Sequence, residues 1–264
     1  MKISVLMGIY NCAQTLPIAL DSLLSQTYTE WKCIMCDDGS ADDTYEIAMG
    51  YVKKYPEHFI LIKNETNKGL NITLNNCLAL ANTDYVARMD GDDISLPTRF
   101  EKEIAFLEEH PEYDIVSTPM IYFDKEGDFR EGIAVQQPTP EQVVCGSVIC
   151  HAPCVIRTKS LKAINGYSIK KSTLRVEDVD LWIRLYAQGS RCFNLSEPLY
   201  KMRDDSNAIS RRKFKYRVNS TITRWRGCRK LKLSIKCYIK AMRPVIIGFI
   251  PQRLYIYLHK RVKP

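Results

Sequence analysis

Strand-length apolar runs alternate with helix-period segments over the first hundred residues of this 264-residue chain, and that alternation restricts its fold more than any other feature. Residues 3–9 form the first apolar run. Leu16, Leu20, Leu23 and Leu24 then recur at helical spacing, with Pro17 where a first helical turn accepts it. Residues 31–36 read as a second strand, 43–54 as a helix and 59–63 as a third strand. Leu70, Leu74, Cys77, Leu78 and Ala81 mark one helix face. Residues 84–89 are a fourth strand, and Pro97 opens a helix with Phe100, Ile104 and Leu107 on one side. This βαβαβαβα order predicts a mostly parallel, doubly wound α/β sheet.

The next part of the chain is less regular. Residues 114–122 read as one strand, 124–132 as a turn, 137–140 as a breaker and 143–149 as a short helix or strand. Residues 161–166 suggest a helix ending at Gly166. Leu181, Trp182 and Leu185 place a helix over 179–188, stopped by Gly189.

Charge divides the chain in two. Residues 206–264 contain 17 Lys or Arg and no Asp or Glu, whereas residues 1–205 carry 21 basic and 30 acidic residues, a net of −9. An acidic body joined to a purely basic extension predicts that the extension meets something anionic. The expected division is therefore a body over 1–205 and a basic, partly amphipathic extension over 206–264. The opening run of 3–9 is too short for a secretory signal and has no cleavage site after it, which places the chain in the cytoplasm with its ten cysteines reduced. Cys33 and Cys36 form a CxxC inside a strand, where residues three apart face opposite sides, so a metal or redox site there is not expected. Cys150, His151 and Cys154 lack an evident fourth ligand for zinc.

In parallel α/β sheets, ligands gather beyond the carboxyl ends of the strands. Two acidic clusters fall there: Asp37 and Asp38 after the second strand, and Asp90, Asp92 and Asp93 after the fourth. Carboxylates are the ligands that hard divalent cations such as Mg²⁺ prefer, and a strand-terminal D-x-D sets two at one edge. Without a cation, such a cluster is an acidic surface turn with unrelieved repulsion. Asp38 is placed to accept from a ligand N–H such as the imide of uracil, or to serve as a turn or cap residue. Glu177 and Asp178 precede the helix containing Leu181 and Leu185; they suit its dipole, and equally suit a general base that deprotonates a hydroxyl.

The ordered fragments SVLMGIYNCAQTLPIALDSLLSQTY, CDDGSADDT, NKGLNITLN, YVARMDGDDISLPTRFEKE, HAPCVIR, INGY and VEDVDLWIRL resemble glycosyltransferase family 2, over roughly residues 2–205. The resemblance implies the GT-A (nucleotide-diphospho-sugar transferase) fold, and an inverting transfer of a sugar from a nucleotide diphosphate, usually UDP, to a hydroxyl. It implies that Ile9, Tyr10 and Asn11 lie against the nucleotide and that Asp38 binds its base. Asp90 would contact the nucleotide-sugar side, with Asp92, alongside Asp90, holding Mn²⁺ or Mg²⁺. Asp178 matches the general base, and Glu177 and His151 the acceptor side. The long processive members carry membrane-spanning helices after the catalytic domain; none is evident here, which favours single-sugar transfer in surface polysaccharide biosynthesis.

Two rival classes remain at this point. A sugar-nucleotide nucleotidyltransferase would need a Gly-rich loop after the first strand, which Gly8-Ile9-Tyr10-Asn11 is not; a non-catalytic relative would bind nucleotide or glycan only. The extension is expected to place the enzyme on the inner face of the cell membrane, near a glycan or lipid-linked acceptor. Its apolar stretch over 245–258 is broken by Gly248 and Pro251 and is too short to span a bilayer. Packing of the extension on the acidic body is the alternative, and nucleic acid is not an expected partner.

Overall fold

The computed structural model describes residues 1–204 and 213–249. The expected boundary at 205/206, the basic pair Arg211 and Arg212, and the part of the 245–258 stretch beyond Phe249 lie outside the described residues.

The alternation is realised as β1 (Ile3–Ile9), α1 (Leu16–Leu24), β2 (Trp31–Asp37), α2 (Thr44–Lys54), β3 (Phe59–Lys63), α3 (Leu70–Leu80) and β4 (Tyr85–Arg88). β1 pairs in parallel with both β2 and β4, and β2 with β3. β1 is buried along nearly its whole length, as a central parallel strand covered on both faces must be. Its two faces feed different cores. Ile3, Val5, Met7 and Ile9 pack with Leu16, Leu20 and Leu23 of α1, while Leu6 packs with Leu74, Cys77 and Leu78 of α3. Cys33 and Cys36 fall one into each core, on opposite faces of β2, and all ten cysteines are free thiols.

Beyond β4 the sequence reading needs correction. Residues 114–122 are not one strand: β6 (Ile115–Ser117) joins the main sheet, and after Pro119 β7 (Met120–Asp124) enters a second one. Proline has no N–H for a ladder, so the chain changes sheets there. The turn expected at 124–132 contains β8 (Gly127–Glu131), which forms a hairpin with β7. Residues 143–149 resolve into the end of α5 (Pro140–Cys145), opened by a capping box of Thr139 and Gln142. The main sheet has the order β10-β6-β9-β4-β1-β2-β3, where β9 is Val155–Arg157 and β10 is Cys192–Asn194. β9 is antiparallel to both neighbours, so the sheet is mostly and not wholly parallel. The second sheet runs β5 (Ile94–Ser95), β11 (Tyr200–Arg203), β7, β8. Between them lie α4 (Arg99–Glu109), α6 (Thr158–Ala163) and α7 (Glu177–Tyr186).

The described part of the extension is helical: α8 (Phe214–Lys230), α9 (Ile235–Ala241) and α10 (Arg243–Gly248). It shares a core with the body, in which Cys228, Cys237 and Ala241 meet Val144, Val179 and Ile183. A Cβ on Gly227 would come 2.5 Å from Ile183 Cδ1, so glycine lets α8 approach α7 this closely without displacing that side chain. Among the described residues, no helix is long and apolar enough to cross a membrane.

Candidate active site

Parallel pairing brings the carboxyl ends of β1, β2 and β4 to one edge of the sheet. Ile9 stands opposite Asp37, and Leu6 opposite Arg88. The turn after β4 carries Asp90, Asp92 and Asp93, whose carboxylate oxygens lie within 4.8 Å of one another. Gly91 lets this turn lie against the end of β1: a Cβ there would be 3.0 Å from Cys12 Sγ and 3.2 Å from Ile9 Cγ2.

The three aspartates are held differently. Arg88, two residues earlier on the same side of the strand, donates from Nη2 to Asp90 Oδ1 at 2.6 Å. Asp93 is buried and accepts from the Tyr200 hydroxyl at 2.9 Å and from the Arg203 N–H at 2.8 Å. The Asp90 N–H in turn donates to the Tyr200 oxygen at 3.2 Å. Asp92 is exposed, and Arg203 Nε donates to its backbone carbonyl at 3.2 Å. Desolvation, followed by the charge of Asp90, pushes the Asp92 carboxyl up; burial, with Asp90 and Asp92, pushes Asp93 well up. Three hard oxygen donors this close together fit a divalent cation. Among the described residues this is the only group of three or more His, Cys, Asp or Glu placed to hold a metal; Cys150, His151 and Cys154 do not form one.

A buried chain of groups stands behind the turn. Arg99 donates to the Arg88 carbonyl at 3.0 Å and pairs with Glu103 at 3.0 Å, and neither side chain is exposed to solvent. Burial pushes Glu103 up to about 8 against the pull of Arg99. Tyr200 lies under the Arg99 guanidinium, 5.1 Å from ring centroid to Cζ.

On the β1–β2 side, Tyr10 is half exposed, whereas the Ile9 side chain is buried and its carbonyl accepts the Asp38 N–H at 2.9 Å. Asn11 adopts a left-handed backbone (φ 48°) and ties this end to the next loop, donating its N–H to Ser40 Oγ at 3.0 Å and accepting the Ala41 N–H at 2.8 Å. Asp38 is buried. Its oxygens accept from Asn64 Nδ2, the Lys68 N–H and the Gly69 N–H, each at 2.8 Å. Asp38 thus pins the loop that leads into α3. The adjacent Asp37, also buried, accepts from the Ser40 N–H.

The second acidic pair also differs from expectation. Glu177 and Asp178 do not precede α7; they are its first turn, where its dipole favours them. Asp178 Oδ1 accepts the Val179 N–H at 2.7 Å. Burial, and secondarily the Asp178 charge, pushes Glu177 up, while Arg88 pulls it down. Arg88 likewise acts on His151, which burial first and Arg88 second hold well below the ordinary imidazole value. The neutral His151 ring lies 3.0 Å from the Tyr167 hydroxyl and meets Trp182 edge to face. His151 reaches this edge because β9 is antiparallel: the segment before Val155 returns to the carboxyl end of β4, where the Arg88 N–H bonds the Cys154 carbonyl. Arg88 therefore pairs with Asp90 while its charge also reaches Glu177 and His151.

Sequence reasoning named Asp93 in the acidic cluster but missed Arg88, Tyr200 and Arg203 as partners of that turn. Arg88 was detectable as a neighbour of the D-x-D; Tyr200 and Arg203 carried no local signal. A cavity of about 540 Å³ lies at the opposite end of β4, lined by Asn82, Tyr85, Arg157 and Lys162 among others, and contains none of these site residues.

The likenesses of the chain agree with this geometry. Residues 4–164 match glycosyl transferase family 2. The chain is 43% identical over 260 residues to a putative glycosyltransferase, EpsE, of Bacillus subtilis, covering 98% of this chain and 94% of that one. It is 30% identical over 215 residues to WfaP of Escherichia coli, described as a UDP-Glc:alpha-D-GlcNAc-diphosphoundecaprenol beta-1,3-glucosyltransferase, covering 81% of each. In fold it resembles S. aureus TarS 1-349 in complex with UDP-GlcNAc, at a TM-score of 0.70 and 19% identity over 96% of this chain and 82% of that one. It also resembles the mannosyltransferase PcManGT of Pyrobaculum calidifontis in complex with GDP-Man and Mn²⁺, at 0.67 and 14% over 98% and 79%. The mostly parallel sheet with its carboxylate-bearing edge is a GT-A fold, and the chain belongs to glycosyl transferase family 2 as a glycosyltransferase.

Proposed function

We propose that this enzyme transfers a single sugar, with inversion, from a UDP-sugar to a hydroxyl of a glycan or lipid-linked acceptor in surface polysaccharide assembly. The observation that carries the reading is the Asp90, Asp92 and Asp93 cluster at the carboxyl edge of the parallel strands, with Glu177, next to Asp178 in the first turn of α7, within electrostatic reach of the Arg88 that pairs with Asp90. Asp92 and the Asp90 oxygen turned away from Arg88 are the groups that would hold Mn²⁺ or Mg²⁺. Such an ion supplies Lewis-acid charge beside a leaving diphosphate. Tyr10 and Asn11 form the exposed wall of the nucleotide site. Asp38 already accepts three hydrogen bonds, which leaves about one acceptor position for the imide N–H of a uracil.

Asp178 takes the proton of the acceptor hydroxyl as its oxygen attacks the anomeric carbon. One C–O bond forms while the bond to the diphosphate breaks, so the configuration inverts and the nucleoside diphosphate leaves with the electron pair. Glu177 and His151 border the acceptor. The reading of a UDP donor and a lipid-carried acceptor draws support from the description of WfaP, and that of polysaccharide assembly also from AmsE of Erwinia amylovora, an amylovoran biosynthesis glycosyltransferase. The basic extension would hold the enzyme at the inner face of the membrane, where such an acceptor lies.

The test is release of nucleoside diphosphate from a panel of nucleotide sugars, with and without Mn²⁺, in the presence of membrane extract as acceptor. Metal-dependent UDP release is expected. Pyrophosphate release, or turnover that EDTA leaves unchanged, would overturn the reading.

A further inference from the structure

The extension folds back on itself as a helical hairpin. Phe214, at the start of α8, meets Phe249 edge to face at 5.3 Å. Eleven residues further along α8 and eleven back from Phe249, Trp225 Nε1 donates to the Tyr238 carbonyl at 3.1 Å. The two arms are therefore in antiparallel register from end to end. One side of the hairpin is given to the body through Gly227, Cys228, Cys237 and Ala241.

The other side is apolar and exposed. Ile235, Ile239, Met242, Ile246 and Phe249 follow one another at steps of four, three, four and three, the repeat of a single helical stripe, and are 74, 65, 39, 56 and 75% exposed. Phe214, Ile222 and Trp225 extend it onto α8. Eight of the sixteen exposed large apolar side chains among the described residues thus lie within residues 214–249, which is a patch and not scatter. Cations border it: Lys236, Lys240 and Arg243 run along the α9–α10 arm beside the stripe, and Arg229, Lys230 and Lys232 crowd the hairpin turn. Among the described residues, only Lys240 of these six has an acidic partner, Glu141.

We propose that this face of the α8–α10 hairpin is the surface by which the enzyme docks on an anionic phospholipid bilayer. The helices lie in the headgroup layer with the stripe turned to the acyl chains and the cations on lipid phosphates. Charge selects this occupant. A second copy of the same face would press two cation-rimmed patches together, and residues 250–264, which contain four Lys or Arg and no acid, would do the same if they covered it. A polyanion such as RNA would engage the cations but leave the aliphatic stripe in water.

Docking here also reaches the chemistry. Asn219 donates to the Lys171 and Leu174 carbonyls, Thr223 to the Ser172 carbonyl, and Arg226 to Ser172 Oγ. These bonds hold the turn that leads into Glu177 and Asp178. The hairpin therefore fixes the height of the acceptor-side acids above the bilayer, which is what an acceptor tethered to a lipid requires; the inference rests on that part of the proposed function.

The experiment uses the full chain with vesicles of phosphatidylcholine alone or with 30% phosphatidylglycerol. Trp31 and Trp182 are buried and Trp225 is exposed, so Trp225 is the natural reporter. Expected are flotation with the anionic vesicles only, and a blue shift of emission that Trp225→Phe removes. The double substitution Ile239→Glu with Ile246→Glu, both exposed, is expected to weaken vesicle binding about tenfold or more while far-UV circular dichroism and UDP affinity stay as in the parent. Vesicle binding that survives in the double variant would overturn this surface but leave membrane attachment standing. No binding by the parent chain would overturn both, and UDP-dependent turnover on a soluble acceptor would still report on the transferase reading separately. A dimeric parent that the double variant converts to monomer, with vesicle binding unchanged, would assign the stripe to a second copy.

Discussion

The two acidic edges of the site are built in contrasting ways. The β4 turn is held from within the body: Asp90 by Arg88, Asp93 by Tyr200 and Arg203, with the buried Arg99–Glu103 pair beneath. The first turn of α7 makes few such bonds. Asp178 accepts from its own helix, and the residues that lead into it are held by Asn219, Thr223 and Arg226 of α8. Arg224, buried in α8, bonds the Val144 and Gly146 carbonyls and lies within electrostatic reach of Asp178. The β4 turn, proposed as the donor side, is thus held by groups from both sheets of the body. The α7 turn, proposed as the acceptor side, is instead held in part by α8 of the extension. On those proposed roles, a donor side held by the body and an acceptor side held partly by the extension would suit an enzyme that keeps one chemistry and changes what it acts upon.

The comparison is broken most severely at Asp92. Asp92→Ala is expected to abolish turnover at any Mn²⁺ concentration, since the exposed carboxylate best placed to hold the ion is gone; a metal titration of initial rates checks this. Next comes Asp178→Asn, expected to lower kcat by ~10²–10⁴, the usual worth of a general base, while UDP binding by calorimetry stays near the parent value. Near-parent turnover in that variant would remove Asp178 from the role.

Smaller effects sharpen the contrast. Tyr200→Phe leaves the buried Asp93 carboxyl and the Asp90 N–H without their shared partner, and should cost about 1–3 kcal/mol in urea unfolding. It should also weaken Mn²⁺-dependent UDP binding, so that its kinetic defect lies on the donor side. Asn219→Ala removes two bonds to the turn before α7 and should do the reverse, raising KM for the acceptor a few-fold on the order of 1 kcal/mol with KM for the donor unchanged. Equal shifts in both KM values would show that the two edges are not separately supported.

How much of this was legible beforehand differs by region for one reason. In residues 1–109, each expected element appears within a residue or two, because a buried parallel strand and an amphipathic helix each announce themselves by local period. The closeness of Asp90 and Asp92 was legible because the motif is contiguous and sits at a strand end. From residue 114 onward the strands are three to five residues long and no longer alternate regularly with long amphipathic helices that would mark them off. The run over 114–122 looked continuous because β6 and β7 are both apolar, and only their pairing with β9 and β11 separates them. The turn of α7 was placed two residues late because Glu177 and Asp178 carry no apolar signal.

The sequence by itself determined the layering of the sheet and helices, the edge at which the acidic turns emerge, and the change of charge after residue 205. Tertiary structure alone decided which groups meet those acids. Tyr200 and Arg203 lie about 110 residues from Asp93, β9 reverses direction to deliver His151, and α8 packs through Gly227 against α7. Periodicity reports that a face is buried but not against what, and the partner is selected only when shape, hydrogen bonding and charge are satisfied together in the folded chain. The same holds for the exposed stripe on α9 and α10: its repeat can be read in the sequence at Ile235, Ile239, Met242, Ile246 and Phe249, but that the body leaves it uncovered is a property of the packed hairpin.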